Sequence, residues 1–176
     1  MNRLAFFVPL ALFALFAGLA AYQLSQPKTE DVPSRMVGKA LPAFELPSGR
    51  EGGDGLTQAA FTDGTPKLLN IWATWCLPCI AEAPQLEALK EAGAPIIGIA
   101  IRDTPEDIAA FLEKHGDPYR QIAIDERSTV QLGIGSSGVP ETFVIDGNGI
   151  IRHQHIGDVR EDDVDDLLER LREAAE

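Results

Sequence analysis

Two continuous apolar runs, Lys67 to Ala73 and Pro95 to Ile101, are bounded by glycine and proline and predict strands buried on both faces. Between them Leu77, Ile80, Ala81, Leu86 and Leu89 recur at helical spacing, which predicts a helix from about Cys76 to Ala92 closed by Gly93. After the second run, Thr104 reads as an N-cap with Pro105 in the first turn. Ile108, Phe111 and Leu112 form the buried stripe of that helix and Gly116 ends it. Strand, helix, strand, helix implies parallel pairing with right-handed crossovers, an α/β fold.

Further on, Gln121 to Ile124 and a weak helical pattern from Arg127 to Leu132 predict an inserted strand and helix. Thr142 to Asp146 and Ile150 to Ile156 flank Gly147, Asn148 and Gly149, a strong antiparallel hairpin signal. A last helix is expected over Glu161 to Ala175, with Val164, Leu167, Leu168 and Leu171 on one face. Its acids crowd the first turns, which reads as helix capping rather than a calcium loop. Ahead of the first main strand, Leu41 to Ser48 suggests a short strand. Arg50 to Gly55 reads as a plain turn, because no lysine or serine follows the glycines at phosphate-loop spacing.

The amino-terminal pattern is different. Leu4 to Ala21 carries no charged or strongly polar side chain, a length at the lower end of the roughly 17 to 25 residues that span a bilayer. We expect residues 1–24 to form an uncleaved membrane anchor with Arg3 inside and the domain outside; a cleaved signal peptide is the alternative. Residues 25–39, with Pro27 and Pro33 among polar side chains, read as a tether, and 40–176 as one domain. Net charge is −12, and the chain after residue 26 holds 14 basic against 27 acidic residues. Such a surface repels phosphate backbones, which argues against nucleic-acid partners.

Both cysteines lie in one stretch, WATWCLPCIAEAP, where a strand feeds a helix. Closing so small a loop adds far less stability than the roughly 3 kcal/mol estimated for a loop of about 15 residues, so chemistry explains the pair better. Cys76 sits nearer the free N–H groups of the helix end and is the candidate nucleophile; Cys79, one turn inside, is placed to resolve a mixed disulfide. Lowering a thiol from about 8.5 to about 7 takes roughly 2 kcal/mol. A helix terminus supplies about 0.3 to 1 kcal/mol, reaching about 2 at best. Direct donation to the Cys76 sulfur, from the Cys79 thiol or a backbone N–H, is therefore expected. Half of a zinc site is the competing reading, but no histidine lies close to the pair in sequence.

The order of elements, WATWCLPC, Pro84 five residues after Cys79, and SGVPETFVIDGNGIIRHQHIGD together resemble the thioredoxin fold. More narrowly, they are similar to CcmG/DsbE-type membrane-anchored thiol–disulfide oxidoreductases of bacterial cytochrome c maturation, relatives of ResA and TlpA. The resemblance implies a central mixed sheet flanked by helices, with the inserted strand and helix ahead of a cis-proline at Pro140. It also implies that Val139 and Pro140 lie beside the disulfide, leaving backbone free to pair with an extended substrate. The run GIGSSG before them is longer than tighter versions of this loop in the family.

Glu82 matches the family's Cys-x-x-Cys-x-x-Glu pattern. Where thioredoxins carry a buried aspartate, this chain has Asn70, which cannot shuttle a proton, so Glu82 becomes the candidate carboxylate for the resolving thiol. A solvated helix-face acid is the alternative. Glu141 is expected at the groove rim, selecting basic partners, or else as a surface strand residue. Trp75 is a candidate substrate contact, Trp72 strand-end packing, and Pro84 a helix kink. His153 and His155 share a strand face, a possible metal pair, though two solvent-facing histidines are expected instead.

The residues imply an exported thiol–disulfide oxidoreductase that needs no cofactor, and the resemblance implies a reductant anchored in a bacterial inner membrane with its domain on the periplasmic side. By resemblance it keeps the haem-attachment cysteines of apocytochrome c reduced, directly or through a haem-ligation component, and is recharged by a DsbD/CcdA-type membrane thiol transporter. A general disulfide reductase or isomerase, and a metal-handling Cys-x-x-Cys module, are the alternatives.

Overall fold

The computed structural model describes residues 4–25 and 35–176, which fall into two separate units. The first is helix α1, Leu4–Ser25. Its described side chains, 7–20 and 22, include Phe7, Leu10, Phe13 and Phe16, all exposed. Among the described residues no helix is long and apolar enough to cross a membrane. Residues 26–34 of the expected tether lie outside the described residues.

Gly38 N donates to Ile151 O and Ile151 N to Lys39 O, at 2.7 and 2.9 Å, so the end of the expected tether is stitched to the domain. Of the strand expected over 41–48, only Glu45–Leu46 (β1) is regular, paired antiparallel with Leu56–Thr57 (β2) around the Arg50–Gly55 turn.

The central sheet has five strands: β3 (Lys67–Trp72), β4 (Ile96–Ile101), β5 (Gln121–Asp125), β6 (Glu141–Ile145) and β7 (Ile151–Ile156), in the order β5-β4-β3-β6-β7. Strands β3, β4 and β5 run parallel and β6 and β7 antiparallel to their neighbours, so the sheet is mixed as expected. Strands β3, β4 and β6 are buried at every position, which explains why they read as continuous apolar runs. The inserted strand β5 is an edge. Gly49 N to Ile122 O and Ile124 N to Pro47 O, at 2.8 and 3.0 Å, cover it with the chain after β1.

Helix α2 (Leu77–Glu91) follows β3, α3 (Pro105–His115) follows β4, the short α4 (Thr129–Gly133) follows β5, and α5 (Glu161–Glu173) closes the chain. Alternation places Leu68, Asn70 and Trp72 on one face of β3. Asn70 reaches Glu82 of α2, and Trp72 packs on Phe111 of α3 with ring centroids 4.9 Å apart. Helices α2 and α3 therefore cover the same face, as two right-handed crossovers in one direction require.

The helix ends follow local chemistry. The Thr104 side chain accepts from Asp107 N and caps α3, as the sequence predicts. Helix α4 is capped from a distance: the buried Asp125 carboxylate, at the end of β5, accepts from the backbone N–H groups of Thr129, Val130 and Gln131 at 2.8–3.0 Å. Helix α2 continues through Pro84.

Candidate active site

Strand β3 ends at Trp72 and the chain turns through residues 73–75 to bring Cys76 to the N-cap of α2, with φ −89° and ψ 111°. Cys76 and Cys79 form a disulfide with Cα atoms 5.3 Å apart. The Cys76 sulfur accepts from the Cys79 backbone N–H at 3.2 Å, the direct donation expected from the energetics of the thiol. Pro78, between them, has no N–H to compete for that position. Both sulfur-bearing residues are buried, while Trp75 and Leu77 on either side of Cys76 are 56% and 77% exposed.

Strand register brings the second expected segment to the same end of the sheet. Ile71 pairs with Glu141, so Pro140 and Val139 continue past the point where β3 turns into the cysteine loop. The Val139–Pro140 peptide is cis. Pro140 O accepts from Gly157 N at 3.0 Å, which ties the segment to the end of β7. Among the described residues the backbone N–H and C=O of half-buried Val139 make no hydrogen bond, the condition for pairing with an added strand.

Glu82 is fully buried, so it is not a solvated helix-face acid. One carboxylate oxygen accepts from Asn70 Nδ2 at 3.1 Å and the other from Val159 N at 3.0 Å. Burial pushes this carboxyl up to about 7, against the downward pull of the Val159 and Asn70 donors; Asp158 nearby adds to the rise. Asn70 also donates to Thr142 Oγ1 at 3.0 Å and accepts from the hydroxyl of buried Tyr119 at 2.8 Å. A carboxyl that changes charge near neutral pH, one helical turn after Cys79, can take up and release a proton there.

Glu141 departs from expectation. It is 1% exposed, neither at a groove rim nor on a strand surface. The residue belongs to a fully buried strand and points to the sheet face opposite Thr142 and Asn70. Its Oε1 accepts from Ser137 N, Ser137 Oγ and Gly138 N at 2.8, 2.6 and 3.2 Å, and its Oε2 from Gln154 Nε2 at 2.7 Å. Glu141 thus holds the long GIGSSG loop in place behind the cis-proline.

His153 and His155 are half-buried rather than solvent-facing. His155 Nε2 lies 3.2 Å from Asp158 O, and no group of three or more His, Cys, Asp or Glu side chains suited to a metal ion occurs among the described residues. Trp72 packs in the core, stacked on Tyr119 at 5.2 Å. Two site residues escape a reading by motif. Asp103 anchors Thr74 in the cysteine loop, and its only local signal is a polar residue soon after a buried strand. Tyr119 reaches Asn70 across 49 positions of sequence and has no local signal at all.

The Redoxin family profile matches residues 36–171. The thiol:disulfide interchange protein DsbE of Vibrio cholerae is 40% identical over 163 residues, covering 90% of this chain and 88% of its own length. HelX of Rhodobacter capsulatus, also named a thiol:disulfide interchange protein, is 37% identical, and 97% of each chain is covered. Among solved structures, a chain described as a putative DsbE of Chlorobium tepidum superposes with a TM-score of 0.67 at 26% identity, covering 80% of this chain and 98% of its own. With its disulfide at the N-cap of α2 and the cis-proline at the same end of a thioredoxin-like sheet, the chain belongs to the redoxin family as a DsbE-type thiol–disulfide oxidoreductase.

Proposed function

We propose that this oxidoreductase works as an exported, membrane-tethered reductant in c-type cytochrome biogenesis, keeping the haem-attachment cysteines of apocytochrome c reduced. The observation that carries its chemistry is the Cys79 N–H donating to the Cys76 sulfur at the start of α2, because the same donor stabilises a Cys76 thiolate once the disulfide is opened. The resemblance to membrane-anchored cytochrome c maturation oxidoreductases supports the pathway and a location on the periplasmic side of the bacterial inner membrane, and the uncharged sequence run Leu4 to Ala21 supports the tether.

In the reduced protein the Cys76 thiolate attacks a client disulfide, forming a mixed disulfide and releasing one client thiolate. Cys79, after giving its proton to Glu82, attacks the Cys76 sulfur, re-forms the intramolecular disulfide and releases the second client thiolate. Two electrons pass to the client. A DsbD/CcdA-type membrane thiol transporter restores them. Exposed Trp75 and Leu77 offer apolar contact to the client chain, and the Val139 backbone pairs with it beside Pro140.

The test is a trapping experiment. Cys79→Ser protein, expressed in cells that make c-type cytochromes, is expected to accumulate mixed disulfides through Cys76 with apocytochrome c or a haem-ligation component. Recovery of other exported proteins only would overturn the pathway and leave a general reductase.

A further inference from the structure

We infer that Tyr119 is a positioning residue for the proton chemistry of this site: its hydroxyl fixes which way the Asn70 amide points, and so keeps Asn70 a donor to Glu82. This rests on Glu82 as the proton carrier proposed above.

A side-chain amide has two orientations that occupy almost the same space but exchange two donors for an acceptor. At Asn70 one orientation satisfies every partner. The Tyr119 hydroxyl donates to Oδ1 at 2.8 Å, and Nδ2 then faces Thr142 Oγ1 and Glu82 Oε1 at 3.0 and 3.1 Å. The Tyr119 hydroxyl makes no other hydrogen bond among the described residues, so reversing the amide deprives it of its acceptor deep in the core. Burial also pushes the phenol well above its ordinary value, so it stays a donor throughout the working pH range.

The reversed amide presents Oδ1 to Glu82. An ionised carboxylate is then repelled, whereas a protonated one donates to it. The two orientations therefore favour opposite charge states of Glu82, and the tyrosine hydroxyl selects the one that favours the anion. In the oxidised protein Cys79, one turn earlier on α2, is held in the disulfide and does not titrate, so the titratable groups acting on Glu82 and its lock are Asp158 in the turn before α5 and Tyr119, itself beside Asp117. Strands β3 and β6 contribute only Asn70 and Thr142, which do not titrate.

The ring is held independently of its hydroxyl by the stack on Trp72, so Tyr119→Phe removes the lock and keeps the packing. The experiment follows the Glu82 carboxyl by carbon-13 NMR in the full-length oxidised protein in detergent, identified by its loss in Glu82→Gln. In Tyr119→Phe its midpoint is expected to rise by about one pH unit or more. An unchanged midpoint overturns the proposal. In the unmodified protein, the Asn70 side-chain amide protons should exchange slowly and show proximity to Thr142 and Glu82; bulk-rate exchange overturns it even where Tyr119→Phe fails to fold. A second readout is the pH profile for release of a Cys76 mixed disulfide by Cys79. A shifted Glu82 midpoint with an unshifted profile would leave the lock standing and remove Glu82 as proton carrier.

Discussion

Thr74 donates twice to the carboxylate of Asp103, through its backbone N–H at 2.8 Å and its hydroxyl at 2.5 Å. The loop that presents Trp75 and Cys76 is thereby pinned to the chain just beyond β4, so the cysteine turn is held from outside its own sequence. Asp103 is mostly buried, and hydrogen bonds to a charged group are worth about 1.5 to 3 kcal/mol each. Asp103→Ala should lower the stability of the oxidised protein by about 2 to 3 kcal/mol in urea titration. The same variant should slow reduction of a peptide disulfide, because Cys76 no longer has a fixed approach; an unchanged rate would limit Asp103 to stability.

Glu141 gives a second prediction. Its carboxylate collects four donors, three of them from the loop that leads into Val139 and Pro140. Glu141→Gln replaces one accepting oxygen by an amide that meets N–H donors on either side. We expect a loss of about 2 kcal/mol in unfolding experiments and increased hydrogen exchange at Ser137 and Gly138. Activity should fall through weaker binding of the client, seen as a raised KM with kcat little changed. A raised KM confined to basic peptides would instead return Glu141 to a direct role in selecting clients.

The pH dependence of stability follows from Glu82. Its carboxyl moves from the ordinary value of 4.5 up to about 7 in the fold, because burial disfavours the charge. Between those values the unfolded chain has lost this proton and the folded protein keeps it, so stability declines as pH rises from about 4.5 to about 7. The integrated effect is about 3 kcal/mol. Urea titrations of the oxidised protein from about pH 5 to about pH 8 should show this decline, and Glu82→Gln should remove it. A slope that persists in Glu82→Gln would assign it to other groups.

Much of this architecture is legible residue by residue. Lys67 to Ala73 and Pro95 to Ile101 read as doubly buried strands because both faces of β3 and β4 are covered, and Thr104 and Gly116 bound α3 through chemistry that lies within one helical turn. Cys76 and Cys79 are legible as a redox pair from their spacing and their position at a helix start. Glu141 is different: the residue after a loop proline reads as a rim position unless the burial of β6 on both faces is known. Asn70 reveals the absence of an aspartate, but its partners Glu82, Thr142 and Tyr119 come from three other elements that only the folded chain assembles. The strand expected from Leu41 to Ser48 shrinks to two regular residues because its neighbour β2 is equally short and residues 47–49 turn to the edge of β5.

Gly98, in the middle of β4, supports the same network by having no side chain. A Cβ built there would lie 2.9 Å from both Trp72 Nε1 and Tyr119 Cδ1, closer than real Cβ contacts allow. Trp72 Nε1 is buried without a hydrogen-bond partner among the described residues, and the Trp72–Tyr119 stack lies at 5.2 Å with ring planes 15° apart, leaving neither ring room to retreat without breaking a core contact. Gly98→Ala should therefore cost about 1 to 3 kcal/mol through overpacking, measured by thermal or urea unfolding. The displaced ring carries the Tyr119 hydroxyl away from Asn70, so the Glu82 midpoint should also rise. Loss of stability without movement of that midpoint would mean that Trp72 alone absorbs the strain.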